Sequence, residues 1–381
     1  MAASGAFVNR TAGLLTELLT EGLSGSPRPL YPGAVAVIVR EGSPDPTVAV
    51  GDALRYVDSD GLELPDEARV AMRPDTIFDI ASLSKLFTAT VAMSLVEEGR
   101  LDLDRRVGDH LPTFASDERR IVTLRHLLSH TSGLPDLLRL WIDEPDPVSR
   151  RRAVLEAPLR HRVGSTFEYS CVGYLVAGFL VEAVTGRTLP ELVSERICGP
   201  LGLADTGFQP LPERLARVAA TEDQRAIGRG MIRGSVHDEN SWSLGGTGGN
   251  AGIFSTAGDL ARFGEAIRRG GELDGRRILS DAGVAEMLRD QLPSGIDPGY
   301  RQGLGFRISA PGFMGALAES GAVGHTGFTG TSIVIDRSRQ LVVVLLTNRV
   351  HPSREWSDLS DIRRRVTELA AMESILSEPR R

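Results

Sequence analysis

The chain has 381 residues, of which 41% are hydrophobic and 24% charged, with a formal net charge of −7. That balance belongs to a globular protein of one large or two ordinary domains, whose core needs no disulfide or metal to hold it. Mild acidity argues against a nucleic-acid partner, two cysteines do not make a disulfide scaffold, and no apolar stretch reaches transmembrane length. A bond between Cys171 and Cys198 stays open at this stage.

The first residues lack a basic segment followed by a long apolar run, so no signal peptide is read and a cytoplasmic location is expected. Arg10 to Leu23 reads as an amphipathic helix, with Leu14, Leu15, Leu18 and Leu19 on one stripe. Gly33 to Arg40 is small and β-branched and reads as a buried strand, Val48 to Leu54 as a second and Thr76 to Ile80 as a short third. From Ser82 a helical pattern runs to about Gly99, followed by short helices at Leu124 to Leu128 and Gly173 to Val184. Leu260 to Arg269 is a further helix, stopped by Gly270-Gly271. Thr331 to Asp336 and Gln340 to Thr347 form a hairpin pattern, and Leu359 to Leu376 closes the chain as a helix.

Strands at both ends with helices between predict an α/β (α+β) fold. Its antiparallel sheet joins segments 1–81 and 276–381, a mostly helical region 82–275 is inserted, and the active site lies between them.

The basic residues number 43, and only one of them is a lysine. That residue, Lys85, ends Ser82-Leu83-Ser84-Lys85 at the start of a predicted helix. Positions three apart share a helix face, so the Ser82 hydroxyl and the Lys85 amine can meet, while Ser84 points elsewhere. A serine hydroxyl needs a nearby base, and lysine can lose its proton when burial lowers its pKa, whereas arginine cannot. Helix N-terminal N–H groups can also stabilise an oxyanion. The bland alternative is that S-x-x-K is a common tetrapeptide, but arginine would serve any ordinary salt bridge there.

Tyr169, in Tyr169-Ser170-Cys171 ahead of a helix, is a candidate general base beside a cationic amine, or else a core aromatic. Gly324-His325-Thr326-Gly327-Phe328 precedes a strand. Its glycines would let a substrate approach the backbone, and His325 and Thr326 could supply hydrogen bonds to a substrate carboxylate or to the tyrosine; the bland alternative is a plain glycine-rich turn leading into the strand. His130-Thr131-Ser132-Gly133 has a similar look but no strand after it, and is set aside as a decoy. His237-Asp238-Glu239-Asn240 has metal-binding residue types, but four adjacent side chains cannot all face one ion without an unusual loop.

Together these motifs, with FDIASLSK, LRHLLSHTSGLP, VHDEN, GIFSTAGDLARF and GHTGFTGTS, resemble the penicillin-recognising serine enzymes: class C β-lactamases, D,D-peptidases and related esterases. The similarity spans roughly Gly33 to Asn348. It implies a β-lactamase/transpeptidase-like fold, an acylated Ser82, proton transfer shared by Lys85 and Tyr169, and an oxyanion hole from the N–H groups of Ser82 and Phe328. His325, Thr326 and Gly327 would stand on the substrate side, and no metal or organic cofactor is needed. In one departure, Cys171 stands where amide-cleaving members carry an asparagine, and sulfur is a weak hydrogen-bonding group.

The expected function is therefore acyl transfer from a small-molecule ester or amide to water, an amine or an alcohol. A cytoplasmic esterase or a transacylase of secondary-metabolite (antibiotic) biosynthesis fits best. A D,D-peptidase or β-lactamase type of amide hydrolase and a catalytically silent sensor are the alternatives.

Overall fold

The computed structural model describes residues 2–25, 28–115 and 117–376. Its centre is an antiparallel sheet ordered Arg301–Gln302, Arg307–Ile308, Val323–Thr326, Thr331–Asp336, Leu341–Thr347, Gly33–Arg40, Val48–Leu54 and Val70–Ala71. The two ends of the chain meet in its middle, where Ala36 faces Leu345 and Ile38 faces Val343. The fold expected from the sequence is thus observed.

Gly33–Arg40 is apolar at nearly every position because both faces of this strand are covered. Val35, Val37, Val39, Ile333, Val342 and Val344 point to the larger core. Ala34, Ala36, Ile38, Val343 and Leu345 point the other way, against Leu15, Leu19, Ile362 and Val366 of the two terminal helices.

Two boundaries differ from the expectation. Only Phe78–Asp79 of the segment 76–80 is strand, and it pairs with Ile253–Ser255 in a separate three-stranded sheet. The chain must turn at Ile80 and Ala81 to enter the next helix, so it cannot extend into the main sheet. The helix Ala257–Arg268, assigned above to the helical region, packs on the main sheet instead: a Cβ on Gly264 would come within 2.7 Å of Val342.

The helix Ser84–Glu97 is buried from Ser84 to Leu95 and runs through the larger core. Cys171 and Cys198 are both free thiols. No single helix among the described residues is long and apolar enough to cross a membrane.

Candidate active site

Ser82 sits in a tight turn, Ala81–Leu83, that leads into the Ser84–Glu97 helix. Ala81 has φ +48°, a left-handed conformation that costs an L-residue about 1–2 kcal/mol. Buried Asp79 holds it there, accepting from Ala81 N (2.8 Å) and His237 N (2.6 Å). Burial pushes the Asp79 carboxyl upward, against these two bonds. Ser84 is turned away as predicted, its Oγ accepting from Ile253 N at 3.1 Å.

Lys85 is fully buried, and its Nζ donates to Ser82 Oγ (3.0 Å), Asn250 O (3.0 Å) and Cys171 Sγ (3.5 Å). Three acceptors match the three N–H bonds of an ammonium. This corrects the expectation of a lysine neutralised by burial. Desolvation does act downward, but Cys171, Tyr169 and Asp238 outweigh it and leave Lys85 above the usual lysine value. The resting lysine is therefore a charged donor. The Cys171 thiol is pushed upward, burial outweighing the Lys85 charge, so it is poorly suited to act as a nucleophile beside Ser82.

Tyr169 lies beside this group, with Lys85 Nζ 5.0 Å from its ring centroid. Behind it stands His130, the supposed decoy. Its ring lies 4.5 Å from that of Tyr169, its Nδ1 accepts from Ser170 N at 2.9 Å, and its carbonyl accepts from Glu168 N at 3.0 Å. His130 thus grips the residues on both sides of Tyr169. Burial and the nearby charges of Lys85 and Arg307 hold its imidazole well below the usual histidine value. The sequence signal for this role was a histidine in a helix-terminating turn, with no spacing to relate it to Tyr169.

His325 is also fully buried rather than on the substrate side, its Nδ1 2.8 Å from Thr326 O and its ring 5.9 Å from that of Tyr169. Burial, with Arg307 and Lys85 nearby, pushes it well below the usual range. Thr326, Gly327 and Phe328 do line the cavity, of about 440 Å³, that opens onto Ser82 and Tyr169. Gly327 is required by protein packing more than by substrate: a Cβ there would sit 2.5 Å from Ile80 O. The loop is tied to the nucleophile turn through Thr329 Oγ1 to Asp79 O (2.7 Å) and Thr331 Oγ1 to Ile80 O (3.0 Å). Neither the Ser82 N–H nor the Phe328 N–H has an acceptor among the described residues.

The half-exposed Phe328 ring stacks on His237 (5.6 Å), with the Arg349 and Arg354 guanidiniums 4.9 and 5.4 Å from its centroid. His237 pairs with Glu222 at 2.9 Å, and Arg354 donates to Glu222 at 2.7 Å. Burial would raise the Glu222 carboxyl, but those two partners pull it well below the usual range. The four polar residues 237–240 diverge: Asp238 caps a helix through Ser241 N, and Asn240 Oδ1 accepts from Leu140 N. Among the described residues no cluster of metal-ligating side chains forms.

The profile of the Beta-lactamase family matches residues 30–368. A putative D-alanyl-D-alanine carboxypeptidase of Escherichia coli K12 is 33% identical over 352 residues, covering 84% of this chain and 79% of that protein. An N-acetylmuramyl-L-alanine amidase of Bacillus subtilis 168 is 32% identical over 356 residues, covering 84% and 78%. Among solved structures, EstCE1, described as a hydrolase with promiscuous acyltransferase activity, superposes with TM-score 0.72 at 24% identity, covering 97% of this chain and 99% of that one. A family VIII carboxylesterase superposes with TM-score 0.72 at 22% identity, covering 97% of each chain. At those identities the structural likeness speaks for the fold.

Proposed function

The chain belongs to the Beta-lactamase family, and on that premise we propose that it forms an acyl-Ser82 intermediate on a small-molecule ester or amide and passes the acyl group to water, an alcohol or an amine. The observation that carries this reading is the 3.0 Å contact between the Lys85 ammonium and Ser82 Oγ at the floor of an open cavity.

The step starts from Tyr169 as the phenolate, its charge balanced by the neighbouring Lys85 ammonium: the proton of Ser82 goes to Tyr169 Oη while Lys85 steadies the forming alkoxide. Oγ bonds to the acyl carbon, and the carbonyl oxygen takes the electron pair facing the N–H groups of Ser82 and Phe328. Collapse expels the leaving group, which receives the proton back from Tyr169. Water or an acceptor then enters by the reverse sequence. Each proton donor and acceptor is a side chain of this chain, so the scheme draws on no metal or organic cofactor.

Cys171 favours ester or transacylation chemistry, because its neutral thiol binds a substrate amide poorly. Modification of a metabolite inside the cell is the setting we propose for it. The second reading, cleavage of a cell-wall amide, is favoured by the names of the curated relatives. Arg307 bears on both: it lines the cavity, and among the described residues its Nε is buried without a partner and no carboxylate pairs with it. A substrate carrying an anionic group beside the scissile bond fits that position.

The test is intact-mass analysis after a fluorophosphonate probe, then a panel of esters and amides with and without added amines. One adduct, absent in Ser82→Ala, is expected, with ester turnover above amide turnover. No adduct on Ser82 sinks the acyl-enzyme reading and leaves the silent sensor.

A further inference from the structure

Arg363, on the C-terminal helix Ser360–Leu376, reaches from the far end of the chain to the loop after His325. Its Nη2 donates to Gly327 O (2.9 Å) and to Thr331 O (3.0 Å). It forms no salt bridge among the described residues, and its Nε is buried without a partner. Burial, and then the nearby charge of Arg349, pushes it down to about 10. A buried guanidinium with no acid in direct contact, Asp358 acting on it only from a distance, is costly, and two backbone carbonyls are slight return for it.

The carbonyl it grips belongs to the Gly327–Phe328 peptide. In a planar trans peptide the C=O and N–H point in opposite directions. A cation on Gly327 O therefore places the Phe328 N–H on the opposite side of the peptide, and it withdraws electron density through the amide, making that N–H a stronger donor. Arg349 serves as a control because it holds a different peptide. It also lines the cavity, but its Nε donates to Phe328 O (2.9 Å), the carbonyl of the following peptide.

We propose that Arg363 is a positioning and polarising residue for the oxyanion hole, acting through the Gly327–Phe328 peptide rather than by contact with substrate. The proposal rests on the acyl-Ser82 reading given above. No bond is made or broken at Arg363. Its charge lowers the energy of the tetrahedral oxyanion more than that of the bound ester.

The experiment compares wild type, Arg363→Met, Arg363→Lys and Arg349→Met, using an arylboronic acid as tetrahedral mimic and an activated ester as substrate. For Arg363→Met, kcat and boronate affinity are each expected to fall about tenfold, less than for deletion of an oxyanion donor itself, with KM changed little. Arg363→Lys restores part of both, and Arg349→Met loses several-fold less of either. Thermal melts show whether each variant is folded. Should Arg363→Met prove unstable, the comparison of Arg363→Lys with wild type carries the test. A folded Arg363→Met with unchanged boronate affinity overturns the proposal, as does a raised KM with kcat intact, which would make Arg363 a substrate-binding group. If wild type itself takes up neither boronate nor fluorophosphonate at Ser82, the acyl-enzyme reading fails instead.

Discussion

The imidazole of His130 lies face-near to the phenol of Tyr169, with ring centroids 4.5 Å apart and planes tilted by 33°. The contact joins two helix-flanking turns separated by 39 positions in the chain, since 169 − 130 = 39. Because His130 also bonds Ser170 N and Glu168 N, it sets where the Tyr169 hydroxyl can go.

Replacing His130 by Leu should therefore harm chemistry as well as stability. The Ser170 N–H would be left buried without an acceptor, at about 1–3 kcal/mol. Displacement of Tyr169 should lower kcat by about tenfold or more, with a smaller effect on KM. His130→Asn, which tolerates φ +61° and can offer an acceptor oxygen, should do less damage. Equal kcat in wild type and a folded His130→Leu would remove His130 from this role.

No uncharged side chain in place of Lys85 supplies the charged donor to Ser82, and the larger guanidinium of arginine does not fit the same fully buried position. Lys85→Met, close in shape, should reduce turnover by a factor on the order of 1,000 while the chain still folds. Lys85→Arg should be as inactive and less stable by about 1–3 kcal/mol, because a fully buried site must admit a larger group. Substantial turnover in either variant would contradict the place given to Lys85.

Cys171→Asn puts an amide carbonyl where Sγ now sits 3.5 Å from Lys85 Nζ. A stronger acceptor for the lysine and a donor for substrate amides should raise the amide-to-ester ratio of kcat/KM by about tenfold. A ratio that does not move would show that Cys171 does not set bond preference.

Acid should destabilise the fold well above the carboxylate range. His351 donates from Nδ1 to Thr221 O (3.1 Å) and accepts at Nε2 from Arg55 N and Tyr56 N, so it has no site for a second proton. Burial pushes it down to about 4, and His130 and His325 are likewise depressed. Below about pH 6.5 the unfolded chain binds protons that the folded chain refuses, so stability falls as pH falls, by about 1.4 kcal/mol per unit for each such histidine. The His351 contribution stops growing below about pH 4. Carboxylates such as Glu286, lowered to about 2 chiefly by its bond to Arg289, lose their contribution only below their unfolded value. Urea midpoints at pH 7.5, 6 and 5 check this, and a flat profile down to pH 5 would contradict it.

What the sequence alone determined is local. The S-x-x-K spacing put Ser82 and Lys85 on one face because a helical turn brings positions three apart together. The apolar run that fills Gly33–Arg40 up to its last residue announced a buried strand. The tertiary structure decided everything that depends on neighbours distant in the chain. The charge of Lys85 follows from acceptors 86 and 165 positions away, and the firmness of Tyr169 from His130. Burial withdrew His325 from the substrate side, and Arg363 reached Gly327 from 36 positions further on. Proton affinity and orientation are through-space properties, summed over whatever packs within a few ångströms, and no periodicity in the chain encodes which residues those will be.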